Sequence, residues 1–230
     1  MATRVNGRAP ALVALAAGVV LLALATPRVV GGILAADGAA LAALGRGERV
    51  SATRLADAAA ARRSALGWHE SAETWTALAA LELARSRDIR LPETARRAFV
   101  DAAITAYRRG LSRGPAQPYA WLQYGQALLA RAGAGARIDP VVRLSLDLAP
   151  DEPPLVMQRV EIGFLAERLL APDTRQAIRD QTHRVAAFAP RRLAEFARDR
   201  FALMWVREQL ADDPATLRRF DAAYFSLPMR

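Results

Sequence analysis

Groups able to do chemistry are sparse in this chain of 230 residues. It holds two histidines, His69 and His183, and no cysteine, which rules out thiolate nucleophiles, disulfides and cysteine metal sites. Neither histidine stands in an H-E-x-x-H arrangement, so zinc would have to draw most of its ligands from carboxylates. His69, between Trp68 and Glu70, falls in an expected turn; His183 falls within an expected helix, beside Arg184. The adjacent acids Asp151 and Glu152 in "DEPP" precede a helix, where they favour its positive end rather than divide acid and base roles. "RAGAGARID" at residues 131–139 has Gly133 and Gly135 in a G-x-G spacing, but no third glycine and no preceding strand, so it reads as a connection between helices. There is no phosphate loop, nucleophile elbow or paired-carboxylate scheme. The expectation is a protein that is not an enzyme, with no catalytic residue, cofactor or metal.

Charge points the same way. Every basic side chain is Arg, 32 of them against 23 acids, for a net charge of +9. They are spread along the chain and mixed with acids, as in "RRLAEFARDR" at residues 191–200, instead of forming one basic block. No nucleic acid partner is expected. An Arg-rich binder of anionic glycan or lipid stays open as an alternative.

What remains is a set of elements built to hold something in place. Residues 9–27, "APALVALAAGVVLLALATP", carry no ionisable side chain, and as a helix these 19 residues would reach about 28 Å, close to the roughly 30 Å of bilayer hydrocarbon. Arg4, Arg8 and the α-amino group precede the run, while Arg28 and then Asp37 follow it. The positive-inside tendency therefore keeps the amino terminus cytoplasmic and sends the remainder across, giving a single-pass inner-membrane protein with a periplasmic carboxy-terminal domain. "ALA" at residues 23–25 has the small-residue spacing of a signal-peptidase site, so the segment 1–28 is read as an anchor or a cleaved signal. Residues 29–50, with Gly31, Gly32, Gly38, Gly45 and Gly47, read as a juxtamembrane linker with one short helix at about 38–44 between flexible joints.

From residue 51 to 230 the pattern is all-α. Ser51 and Ser71 stand as N-caps, with Glu73 near the positive end of the second helix. A third helix opens at Pro92, and Phe99, Ala103, Tyr107 and Gly110 share one of its faces. Further helices are expected at about 155–170, 173–188, 191–210 and 214–225, with turns at Pro172-Asp173 and Asp213-Pro214.

Ala103, Tyr107, Gly110 and Pro115, followed by Trp121, Tyr124, Gly125 and Leu128, resemble the second helix of one tetratricopeptide repeat and the first helix of the next. Trp75, Leu78 and Ala79 are similar to another first-helix start, with a longer loop at about 86–91 taking up the excess. Pro150 follows Pro115 by 35 residues, near the period of about 34, whereas Pro190 follows Pro150 by 40. The resemblance is carried by residues 75–129 and fades beyond them. It implies a short α-solenoid of antiparallel helix pairs behind one transmembrane helix, with Trp75, Tyr107 and Trp121 in the core. Glu73, Thr76, Tyr119, Leu122 and Gln126 would then lie on a groove that receives a peptide or helix of a protein partner. The function implied is a membrane-anchored scaffold in a bacterial envelope assembly, such as polysaccharide synthesis or secretion. The alternative is an accessory subunit packed into a membrane complex through its apolar helix.

Overall fold

The computed structural model describes residues 8–36 and 38–228. Among these the protein is all-helical, with no strand: α1 (Arg8–Leu34), α2 (Ala39–Gly45), α3 (Ala52–Trp68), α4 (Ala72–Arg85), α5 (Glu93–Arg113), α6 (Pro118–Ala132), α7 (Asp139–Leu148), α8 (Pro153–Ala166), α9 (Pro172–Phe188), α10 (Pro190–Asp199), α11 (Leu203–Gln209) and α12 (Pro214–Phe225). Local chemistry sets the starts. Ser51 and Ser71 accept hydrogen bonds from the amides of Arg54 and Thr74 at 3.3 and 3.0 Å, and Asp213 accepts from Ala215 and Thr216, each at 3.0 Å. Helices α6 to α10 and α12 each carry proline in the first turn, where the missing amide has no intrahelical partner to lose.

The chain divides between Gly114 and Pro115 into two compact units, where the sequence suggests one helical domain from residue 51 onward. In the first unit α4 and α5 form a tightly packed hairpin joined through residues 86–92, close to the expected loop, and α3 packs on α4. The hairpin closes on Gly110. A Cβ there would sit 2.6 Å from the Thr76 methyl and 3.0 Å from the Ala72 carbonyl oxygen, so only glycine allows the two axes to come this close. Trp75, Leu78, Ala79, Ala103 and Tyr107 are buried around this contact, and the Arg109 guanidinium covers the Trp75 ring at 4.8 Å.

The apolar helix continues farther than its sequence suggests. Pro27 removes one intrahelical amide, yet α1 runs on to Leu34. The Thr26 hydroxyl donates to the Leu22 carbonyl at 2.7 Å and the Arg28 guanidinium to the Leu24 carbonyl at 2.9 Å, on either side of the carbonyl that Pro27 leaves unsatisfied. Gly31, expected as a flexible joint, lies inside the helix and is buried. A Cβ there would approach the Cβ of His69 at 3.2 Å and the Ala65 carbonyl oxygen at 3.3 Å, so the glycine serves close packing of α1 on α3. Arg62, buried on α3, donates to the Ala35 carbonyl at the end of α1. The short helix expected at 38–44 is present as α2.

In the second unit α6 pairs with α7 and α8 with α9; α6 also touches α8, and α7 touches α9, so two hairpins lie side by side. Gly163 of α8 repeats the device of Gly110: a Cβ would meet Ile178 of α9 at 2.3 Å. Helices α10 and α12 pack on α9 and on each other around Leu193, Ala197, Val206 and Phe220. Arg159 is fully buried and donates to the Ser145 and Ala149 carbonyls at the end of α7, and burial lowers its pKa from the usual guanidinium value.

A single helix over 191–210 is not found. It breaks at residues 200–202, where Phe201 has φ 56° and two reverse hydrogen bonds close α10: Ala202 N–H to the Ala197 carbonyl at 2.7 Å and Phe201 N–H to the Arg198 carbonyl at 3.3 Å. That pair of bonds is a Schellman C-cap, usually built on glycine. The sequence offers no glycine or proline there to announce it.

Candidate functional site

The five groove residues are divided between the two units. Glu73 and Thr76 are on α4 in the first unit; Tyr119, Leu122 and Gln126 are on α6 in the second. Glu73 is exposed in the first turn of α4, whereas Thr76 is half-buried with its methyl group against Gly110. Thr76 therefore belongs to the hairpin contact. Tyr119 is exposed at the start of α6, and Gln126 is half-buried two turns later.

Leu122 corrects the expectation. It is wholly buried among Val142, Leu146, Leu155 and Ile162, because the face of α6 that carries it turns onto α7 and α8. No residue from Ala120 to Leu129 is exposed, so α6 is covered along most of its length. Trp75 and Tyr107 are core residues as expected. Trp121 is half-buried and donates its indole N–H to the Pro115 carbonyl at 2.7 Å, which fastens the proline turn ahead of α6.

His183, His69 and Asp151 are engaged at helix ends and turns. His183 Nε2 lies 2.9 Å from the Gln209 carbonyl and 3.0 Å from Asp212 Oδ1. A carbonyl only accepts, so Nε2 carries the proton and ties α9 to the turn before α12. His69 caps α3 and packs against Gly31. Asp151 pairs with Arg184, and Glu152 stands at the N-cap of α8 without capping it. Gly133, with φ 51°, starts a short 3-10 turn between α6 and α7, a backbone conformation that suits glycine. A surface depression of roughly 300 Å³ beside α9 is lined by Glu167, Arg175, Arg179 and Glu208, so its charges balance. Among the described residues no cluster of His, Asp and Glu could hold a metal ion.

Two surface features stand out instead. From Ala11 to Leu34 the α1 helix is apolar, and apart from its end, where Gly31 packs on α3, most of its surface is exposed. Around the α10–α11 break, Phe201 is 96 % and Met204 73 % exposed. The Arg200–Glu161 ion pair and the ring contact of Trp205 with Phe164 bring that turn beside α8, where Leu165 is also exposed. Sequence reasoning missed this projection because it ran one helix straight through it. Comparison with protein-family models, curated proteins and solved structures finds no match for this chain.

Proposed function

We propose that this protein is a membrane-tethered scaffold: α1 holds it in the bilayer with the amino terminus on the cytoplasmic side, and its helical hairpins, a degenerate tetratricopeptide-like array, receive a protein partner of a bacterial envelope assembly. The observation that carries this reading is the 24-residue apolar stretch of α1, most of it exposed and covered only near its end, where Gly31 meets α3. At about 1.5 Å per residue it is longer than the roughly 30 Å of bilayer hydrocarbon. Its continuation through Pro27 into the Gly31 contact favours an anchor over a cleaved leader. Arg4 and Asp37, on which the orientation partly rests, lie outside the described residues.

Stacked hairpins in the second unit suit a partner-binding surface better than an active site, since the polar groups there tie helix ends. The Phe201, Met204 and Leu165 side chains supply the apolar contact such a partner would cover. Many arginines are engaged with acids or carbonyls of the same unit, Arg63 and Arg85 with Glu82 for example, which weighs against an anionic glycan as the main ligand.

The test is photocrosslinking in native membranes with a photoreactive residue at Tyr119 or Met204, both exposed. A defined protein adduct at either position is expected. Adducts confined to a probe in α1 would instead favour an accessory subunit held through its apolar helix. Gly18 has open space around it, so the Gly18→Leu variant should stay associated with its partner if α1 is only a tether, and be released if α1 packs inside a complex.

A further inference from the structure

We infer that the end of α3 docks on the bilayer surface, with Trp68 seated at the headgroup level as an interfacial anchor, so that the first helical unit is held at a fixed tilt to the membrane. The inference rests on α1 being a membrane span. Its carrying observation is the contact of Gly31 with Ala65 and His69, which fixes where α3 meets α1 along the helix axis. Arg28 is the one charged residue of the apolar stretch and belongs where hydrocarbon gives way to headgroups. Gly31 lies three residues farther, about 4.5 Å along the axis. The headgroup layer is roughly 5–8 Å thick on each side, so the α1–α3 contact falls within it.

The faces of α1 turned away from α3 agree. Val29 and Ile33, on either side of Gly31 in sequence, are 56 % and 69 % exposed, so apolar surface continues past Arg28 to the depth of the contact. Trp68 adjoins His69 and ends α3, and it is 53 % exposed, whereas Trp75 is buried and Trp121 and Trp205 are half-buried. A large amphipathic ring at this depth suits the membrane interface, where its body meets acyl chains and its N–H meets water or ester oxygens. Gly31 is what lets α3 come near enough to the span to place Trp68 there.

The test uses the full chain in phosphatidylcholine vesicles carrying bromine on the acyl carbons nearest the headgroup. Bromine should quench part of the tryptophan emission, and Trp68→Phe should abolish that part while flotation with the vesicles persists. Gly31→Val, which crowds His69 and the Ala65 carbonyl, should also float and lose most of the same quenching. Bromine quenching left unchanged by Trp68→Phe, or Trp68 emission open to aqueous iodide, would overturn the docking and leave Trp68 facing water or a protein. A chain that does not float would overturn the span itself, and this inference with it.

Discussion

At the scale of single residues, much of the fold turns on positions where a side chain is too large or just small enough. Gly110 meets backbone atoms of α4, whereas a Cβ on Gly125 would find Ile162 Cδ1 at 3.3 Å and the valines of α7 at 3.7 Å, all of them side-chain tips. Gly110→Ala should therefore lower stability by about 1–3 kcal/mol and Gly125→Ala by clearly less, as read from thermal or urea unfolding of the solubilised chain. Phe201 is the opposite case. A bulky residue in the left-handed region costs about 1–2 kcal/mol, and with 96 % exposure its ring offers almost no burial in return. Phe201→Gly should raise stability by about 1 kcal/mol, after allowance for the greater freedom of glycine in the unfolded chain. A fall in the unfolding midpoint would show that the ring makes a contact in the folded protein that outweighs the strain.

At the scale of elements, caps and prolines were legible in the sequence because they act locally. Ser51 and Ser71 cap helices where their spacing suggests, Asp213-Pro214 marks the expected turn with Asp213 capping α12 besides, and the loop between α4 and α5 falls close to where the excess length has to go. Three features were not legible, because in each a specific hydrogen bond or packing contact overrides what residue type alone signals. Pro27 reads as a stop, but side chains satisfy the carbonyls around it; Gly31 reads as a hinge, but α3 packs against it; residues 200–202 read as helix, but a Schellman cap turns the chain. Leu122 was misplaced for a related reason, since residue spacing alone does not say which apolar face of α6 meets α7 and α8. Capping also predicts an acid response. Hydrogen bonds from the Thr216 hydroxyl and amide, with a smaller part from Ala215 N–H and His183, hold the Asp213 carboxyl below its ordinary value of 3.8. Its folded value lies under its unfolded one, so the cap stabilises above about pH 3.8 and the benefit is lost as pH falls through the folded value. The unfolding midpoint of the native chain should exceed that of Asp213→Ala near neutrality, and the gap should narrow on acidification below that range. The Asp88 carboxyl, held to about 2 chiefly by the Arg90 side chain and amide, keeps the α4–α5 loop tied at still lower pH.

At the scale of the whole molecule, a long, largely exposed apolar helix packs its end on α3 within a first helical unit, and a second unit of paired helices follows. All-α character and the apolar run were plain from composition and periodicity. The division at Gly114 and Pro115 was not, because the repeat-like residues run across it without a break in pattern. The account depends most on α1 remaining in the protein as a span that carries the helical units across the membrane. The direct test exploits the absence of native cysteine: a single cysteine at Ile89, 86 % exposed in the α4–α5 loop, is probed in spheroplasts with a membrane-impermeant maleimide. The account predicts that Ile89→Cys is labelled from outside, stays in the membrane pellet after alkaline extraction, and keeps residues 9–27 in its intact mass. Labelling only after lysis would contradict the orientation, and release as a shortened soluble chain would contradict the anchor.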